Sequence, residues 1–273
     1  MLKRAMKQAF SLRLGLVMLL VVVLGMSHAE AQDERWQQLK RSYFGDTVVH
    51  TGDELVSLDA PKRAYDAATV PITITAVDGH RQIRELYLFV DQNPLPLAGI
   101  FRFTEEAGYW HALETRIRIN EYTHVRAVAV LDNGELHMSE RFVKASGGCS
   151  APALSDMDAA MARAGKMKLL LDEVNDSDEL PYSEAVIKIS HPNNSGMQFD
   201  QVSRNYIPAF YVNNIVAELD GVRILDIETN FSMSENPVVR LAFEAGRKAK
   251  TLSVIAMDSK GNHYEKSASM SRS

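Results

Sequence analysis

From Val70 to Val143 the chain falls into short runs in which apolar and polar residues alternate: Pro71 to Ala76, Ile83 to Val90, Trp110 to Ile119, Val125 to Leu131 and Leu136 to Val143. The runs are rich in β-branched and aromatic residues. Asp78-Gly79, Asn93-Pro94, Ala107-Gly108 and Asn133-Gly134 punctuate them as turn signals. A period of two over such lengths puts one face of each run toward a core and the other toward water, so the segment predicts a sandwich of short antiparallel strands. Trp110 and the aliphatic positions through Ile119 are expected in that core.

After residue 149 the pattern changes. Ser155-Asp156-Met157-Asp158 has the form of a capping box, and Met157, Ala160, Met161 and Ala164 recur at helical spacing before Gly165, a stop. Strand patterning then resumes over Lys168 to Val174, Ala185 to Ser190, Phe210 to Leu219, Val222 to Ile227, Val238 to Phe243, Leu252 to Met257 and Tyr264 to Ser269. Asp220-Gly221 and Lys260-Gly261-Asn262 read as hairpin turns. The expected fold is all-β, two immunoglobulin-like β-sandwich domains joined by a short helical linker. Its parts are 32–151, a linker helix over 152–166, and 167–273.

Lys3, Arg4, Lys7 and Arg13 precede an apolar stretch from Leu14 to Gly25, and Ala29-Glu30-Ala31 is a small-x-small cleavage site. This predicts an export signal over 1–31 and a periplasmic mature chain that starts near Gln32. An apolar run of about a dozen residues is shorter than the roughly twenty that span a bilayer, and no later run is longer, so no membrane partner is expected after cleavage. Cleavage removes four basic residues and one acidic residue, taking the net charge from −5 to −8, which disfavours nucleic acid.

Cys149 is the single cysteine, within Ser146-Gly147-Gly148-Cys149-Ser150-Ala151-Pro152. In an oxidising compartment it has no partner for an intrachain disulfide, so it is either buried and inert or available for chemistry. The flanking glycines leave the sulfur uncrowded and free the backbone, which favours a mobile, solvent-accessible arm made of Gly147, Gly148, Ser150 and Ala151.

Leu58 to Ile72 (LDAPKRAYDAATVPI) and Val143 to Cys149 (VKASGGC) resemble the SoxY subunit of the periplasmic sulfur-compound carrier. The second half resembles its partner SoxZ at Ser190-His191-Pro192 with Ser195-Gly196, at Ile207 to Val212 (IPAFYV) and at Ser232 to Pro237 (SMSENP). The order in one polypeptide resembles the SoxYZ-like carriers associated with quinoprotein dehydrogenases. The resemblance implies a carrier, not an enzyme, whose Cys149 bonds covalently to a sulfur substrate such as one derived from thiosulfate. Implied partners are periplasmic sulfur-oxidation enzymes and c-type cytochromes, or a quinoprotein dehydrogenase; no cofactor is implied. Where the family has Gly-Gly-Cys-Gly-Gly at a free C-terminus, this chain has Gly147-Gly148-Cys149-Ser150-Ala151 in its interior.

Two further readings stand beside the carrier. The chain could serve as a non-catalytic adaptor of a quinoprotein alcohol dehydrogenase, or as a thiol redox protein, which the lack of a second cysteine argues against. His50, His80, His111, His124, His137, His191 and His263 lack the close spacing of metal ligands, and Asp53, Glu54, Asp59 and Asp66 lack an accompanying nucleophile or base. No metal and no catalytic residue is expected.

Overall fold

A computed structural model describes residues 34–77, 83–107, 109–152, 157–174, 182–244 and 250–270. The expected export signal, the turn at Asp78-Gly79 and the first half of the capping box lie outside them. Among the described residues no helix is long and apolar enough to cross a membrane. The chain divides into two compact units, Met1–Asp46 and Thr47–Ser273. The described part of the first is helix α1 over 34–44, which the alternation pattern does not anticipate. Trp36 and Leu39, three residues apart on one face, are its buried side chains. It ends at Gly45, whose amide bonds the Arg41 carbonyl at 3.1 Å and whose φ of +61° is the left-handed stop that glycine takes without strain.

The second unit is all-β. Its first half supplies β1 (Val49–Thr51), β2 (Val56–Asp59), β3 (Val70–Ala76), β4 (Ile83–Val90), β5 (Leu97–Phe103), β6 (Trp110–Ile117), β7 (Thr123–Leu131) and β8 (Leu136–Val143). Helix α2 (Met157–Arg163) follows. The second half supplies β9 (Met167–Val174), β10 (Tyr182–Ile189), the two-residue β11 (Phe199–Asp200) and β12 (Asn205–Tyr206), β13 (Val212–Leu219), β14 (Val222–Thr229), β15 (Val238–Phe243), β16 (Thr251–Asp258) and β17 (His263–Ser269). Alternation becomes burial as expected: Val70, Ile72 and Ile74 of β3 point inward, as do Leu252, Val254 and Ala256 of β16. Asp220 and Gly221 both have positive φ, 49° and 82°, the geometry of the tight turn joining β13 to β14.

The two immunoglobulin-like sandwiches meet edge to edge. One sheet runs β1-β8-β7-β4-β5-β14-β13-β16-β17 and the other β2-β3-β6-β15-β10-β9, so each sheet passes from the first half into the second without a break. At one seam β5 pairs antiparallel with β14, Phe101 opposite Ile227; at the other β6 pairs with β15, Leu113 opposite Leu241. Strand β5 was not anticipated from the sequence, because Ala98 to Phe101 is buried on both faces and therefore does not alternate. A single apolar cluster runs through the joined layers, with Leu58, Phe101 and Leu113 from one half and Ile227, Leu241 and Phe243 from the other.

Each of these side chains contributes about 1.5–3 kcal/mol by leaving water. Phe101→Ala is expected to lower unfolding free energy by about 3–5 kcal/mol, since a cavity in shared packing collapses only in part. Because sheets and core are continuous across the seams, urea unfolding of the second unit followed by Trp110 fluorescence and by far-ultraviolet dichroism is expected to give coincident transitions. Separate transitions for the two halves would show that the seams are weak.

Candidate functional site

The segment after β8 does not project into solvent. Cys149 is wholly buried, with 0% of its surface exposed, which corrects the expectation of an accessible, mobile arm. The paired glycines explain the difference, since they permit close docking. Gly147 has a φ of +80°, a conformation that side chains resist, and its amide donates to the Asn120 carbonyl at 2.8 Å. Gly148 donates to the Ile119 carbonyl at 2.9 Å, and a Cβ on it would sit 2.0 Å from the Ala67 carbonyl oxygen. The Ser150 amide closes the turn onto the Gly147 carbonyl at 3.2 Å. Ser150 is exposed and Ala151 half-buried, so of the expected arm Gly148 and Cys149 are the fully buried pair.

The second half holds the segment from the other side. Ser195 Oγ donates a hydrogen bond to the Cys149 carbonyl, and Ser195 is itself buried and fixed through its amide to Gln198 Oε1 at 3.0 Å. Arg118, from the chain just past β6, bridges the halves: Nη1 donates to the Gly148 carbonyl at 3.3 Å and Nη2 to the Asn193 carbonyl at 3.1 Å. Only 2% of Arg118 is exposed. Its Nε has no hydrogen-bond partner, and Glu235 and Asp66 act on it as opposite charges. Burial holds the Arg118 guanidinium below the usual arginine range.

The residues that carried the SoxZ resemblance converge here. Asn193, with a φ of +47°, takes a hydrogen bond from the Val212 amide at 2.9 Å and donates to the Met233 carbonyl at 3.1 Å, tying the loop before β11 to the loop before β15. The His191 amide donates to Asn236 Oδ1 at 3.1 Å, and His191 Nδ1 accepts the Asn193 amide at 3.0 Å. That acceptor role places the imidazole proton on Nε2, 3.7 Å from Asp258 Oδ2. Burial pushes His191 down to about 4 despite Asp258, so it is a neutral structural residue. Asn93 completes the network, donating to the Arg118 carbonyl at 2.8 Å and accepting from the Asn120 amide at 2.9 Å.

Among the described residues no three of His, Cys, Asp and Glu are grouped to hold a metal ion. Sequence reasoning missed Arg118, Asn193 and Asn93. In Arg116-Ile117-Arg118-Ile119 a period of two would carry Arg118 outward with Arg116, but β6 stops at Ile117 and the register no longer applies.

Burial pushes the Cys149 thiol up to about 11, against the pull of the Arg118 charge. At neutral pH the docked thiol is therefore protonated, and chemistry on it requires release of the segment. A freed thiol ionises first as pH rises from about 9, so the docked state keeps its full advantage below that pH and loses it progressively toward about 11. Native alkylation of Cys149 by iodoacetamide at pH 8 is expected to be slower than in the denatured chain by about tenfold or more. Gly148→Ala, which cannot dock without moving the Ala67 backbone, is expected to restore most of that rate. Equal native and denatured rates would refute the docked geometry in solution.

Against known proteins, the family model Sulfur oxidation protein SoxY matches residues 40–149 and ends on Cys149; Sulphur oxidation protein SoxZ matches 174–269. No curated protein matches the chain. Among solved structures, the sulfur carrier protein SoxY from Chlorobium limicola f thiosulfatophilum is 18% identical over 44% of this chain and 99% of that one, with a TM-score of 0.38. A superoxide reductase (neelaredoxin) from Ignicoccus hospitalis is 13% identical over 35% of this chain and 94% of that one, with a TM-score of 0.29. The two family matches in tandem make this chain a SoxYZ-like fusion, a SoxY-family domain followed by a SoxZ-family domain.

Proposed function

We propose that the chain is a non-catalytic periplasmic carrier that binds a sulfur compound covalently through Cys149 and presents it to partner enzymes. The observation that carries this reading is the position of the chain's single cysteine: it is the last residue of the SoxY match, and residues of both family domains hold it. A thiolate is both a good nucleophile and a good leaving group, so a sulfur adduct can be attached, processed and released without diffusing away. In the docked state the thiol is shielded from oxidants and stray disulfides. In the working state the segment lifts from Ile119, Asn120 and Ser195, the thiol's acidity returns toward its ordinary value, and loading by a sulfur-oxidation enzyme or c-type cytochrome becomes possible.

Periplasmic placement rests on the export signal expected over 1–31. A second reading, an adaptor for a quinoprotein alcohol dehydrogenase, is favoured by one observation, the complete burial of Cys149, which a protein that never uses its thiol would also show.

Intact-mass measurement of the protein recovered from its native compartment distinguishes the two. Sulfur-containing adducts that map to Cys149 and vanish in Cys149→Ala are expected, together with loss of sulfur-compound oxidation. Cys149→Ala leaves a small buried space, so a modest stability loss of about 1 kcal/mol is expected in place of the negligible one an exposed arm would give. A free thiol in every preparation, with full pathway activity in Cys149→Ala, would overturn the carrier reading.

A further inference from the structure

The outer face of the six-stranded sheet carries a line of cations that nothing in the site above uses. In register across the strands, Pro71 of β3 lies opposite Arg116 of β6, Val238 of β15 opposite Lys188 of β10, and Lys188 opposite Lys168 of β9. The β6–β15 pairing sets Glu114 against Arg240, and two residues along the same antiparallel register Arg116 comes beside Val238. Arg116, Lys188 and Lys168 therefore stand in one lateral row across the seam. All three are exposed, and among the described residues none makes a side-chain hydrogen bond or ion pair. The adjacent row differs: there Arg240 is neutralised by Glu114 at 3.4 Å and Glu184 at 2.9 Å.

Two lysines directly opposite on paired strands repel, and ordinary sheet packing places opposite charges or apolar residues there. The row is also basic on a chain whose net charge is −5. It floors a groove of about 600 Å³ that Lys166, Glu235 and Asn236 border. Glu235, buried at its edge, faces the buried Arg118 as an opposite charge, and Arg116, Lys166, Lys168, Lys188 and Arg240 outnumber Glu114 and Glu235 along the groove, so the lining stays cationic.

We propose that this groove is a docking site for an acidic polypeptide segment of a partner protein. With strands about 4.8 Å apart, Arg116 to Lys168 spans about 14 Å, the length of four or five extended residues. A segment lying across the strands with acidic side chains on alternate residues meets the cations in turn. The alternative ligand, a single sulfur oxyanion, fits the groove less well. The donors are long, mobile side chains on separate strands, and the volume is several times that of a tetrahedral anion. The groove exists only because the sandwiches join edge to edge, Arg116 coming from one half and both lysines from the other. The proposal stands apart from the carrier reading and does not require Cys149 to react.

The test uses the full chain and fluorescein-labelled octaglutamate, read by fluorescence anisotropy. Binding is expected to weaken about tenfold or more between about 25 and about 200 mM NaCl, as screening dictates for exposed charges. Lys168→Glu/Lys188→Glu is expected to weaken binding by a similar factor at low salt, while Lys62→Glu/Lys144→Glu, an equal change of charge elsewhere on the surface, leaves it nearly unchanged. Far-ultraviolet dichroism checks that each variant is folded, and Arg116→Ala, an exposed truncation, provides a second, milder probe that should weaken binding severalfold. Equal loss in both double variants would show unspecific attraction and overturn the proposal. So would displacement of the peptide by sodium thiosulfate or sulfate well beyond NaCl of the same ionic strength, which would assign the groove to small oxyanions.

Discussion

The pairing of β5 with β14 and β6 with β15 is the constraint on which the rest of the molecule depends. Two sandwiches that touched through side chains alone could shift against each other; two that share both sheets cannot, because the ladder fixes register to one residue. Beside the seam, the Arg118 amide donates to the Ser232 carbonyl at 2.7 Å and the Ser234 amide to the Arg116 carbonyl at 3.0 Å. The chain leaving β6 and the loop entering β15 are thereby locked together. Arg118, held by the Asn193 carbonyl, and Ser195 reach the Cys149 segment from fixed positions for that reason.

What holds the segment is modest in energy. Its amides and carbonyls make hydrogen bonds to Asn120, Ile119, Arg118 and Ser195, each worth about 1 kcal/mol net. Burying the small thiol adds a comparable amount. Against this stands Arg118, a buried cation with an unpartnered Nε whose desolvation is offset only in part by Glu235 and Asp66. A docked state favoured by a few kcal/mol is stable enough to dominate and shallow enough for a partner's binding energy to open. In a carrier that balance is useful: a segment fixed more firmly would hide its thiol from the enzymes that load it.

Much of the fold was legible because β3, β16 and similar strands each have one wet face, and that asymmetry leaves its period in the sequence. β5 lacked it, being buried on both sides, and β5 forms one of the seams. No local pattern records which strand edge meets which, so the edge-to-edge union could not be read from either half. At the site the cysteine and its glycines were visible, and their significance was misjudged. Glycine lets a chain move and also lets it approach another backbone closely, and the choice between them at Gly148 depends on Ala67, some eighty residues earlier. Arg118 was concealed by the end of β6, past which alternation no longer tells in from out.

The internal position of the segment sets a limit on any partner. Cys149 lies six residues beyond Val143, the end of β8, so even a fully extended chain carries the sulfur no more than about 20 Å from that point. The return path to α2 at Met157 is constrained in the same way, and Pro152 narrows the conformations available to it. A thiol on such a loop reaches a site at the partner's surface or in a shallow cleft, and reaches it only when the two proteins are already in contact. On the proposed carrier reading, recognition by the folded surface therefore has to precede transfer. In this chain, unlike one with a free terminal arm, the shared sheet faces beside the seam are where such recognition would act.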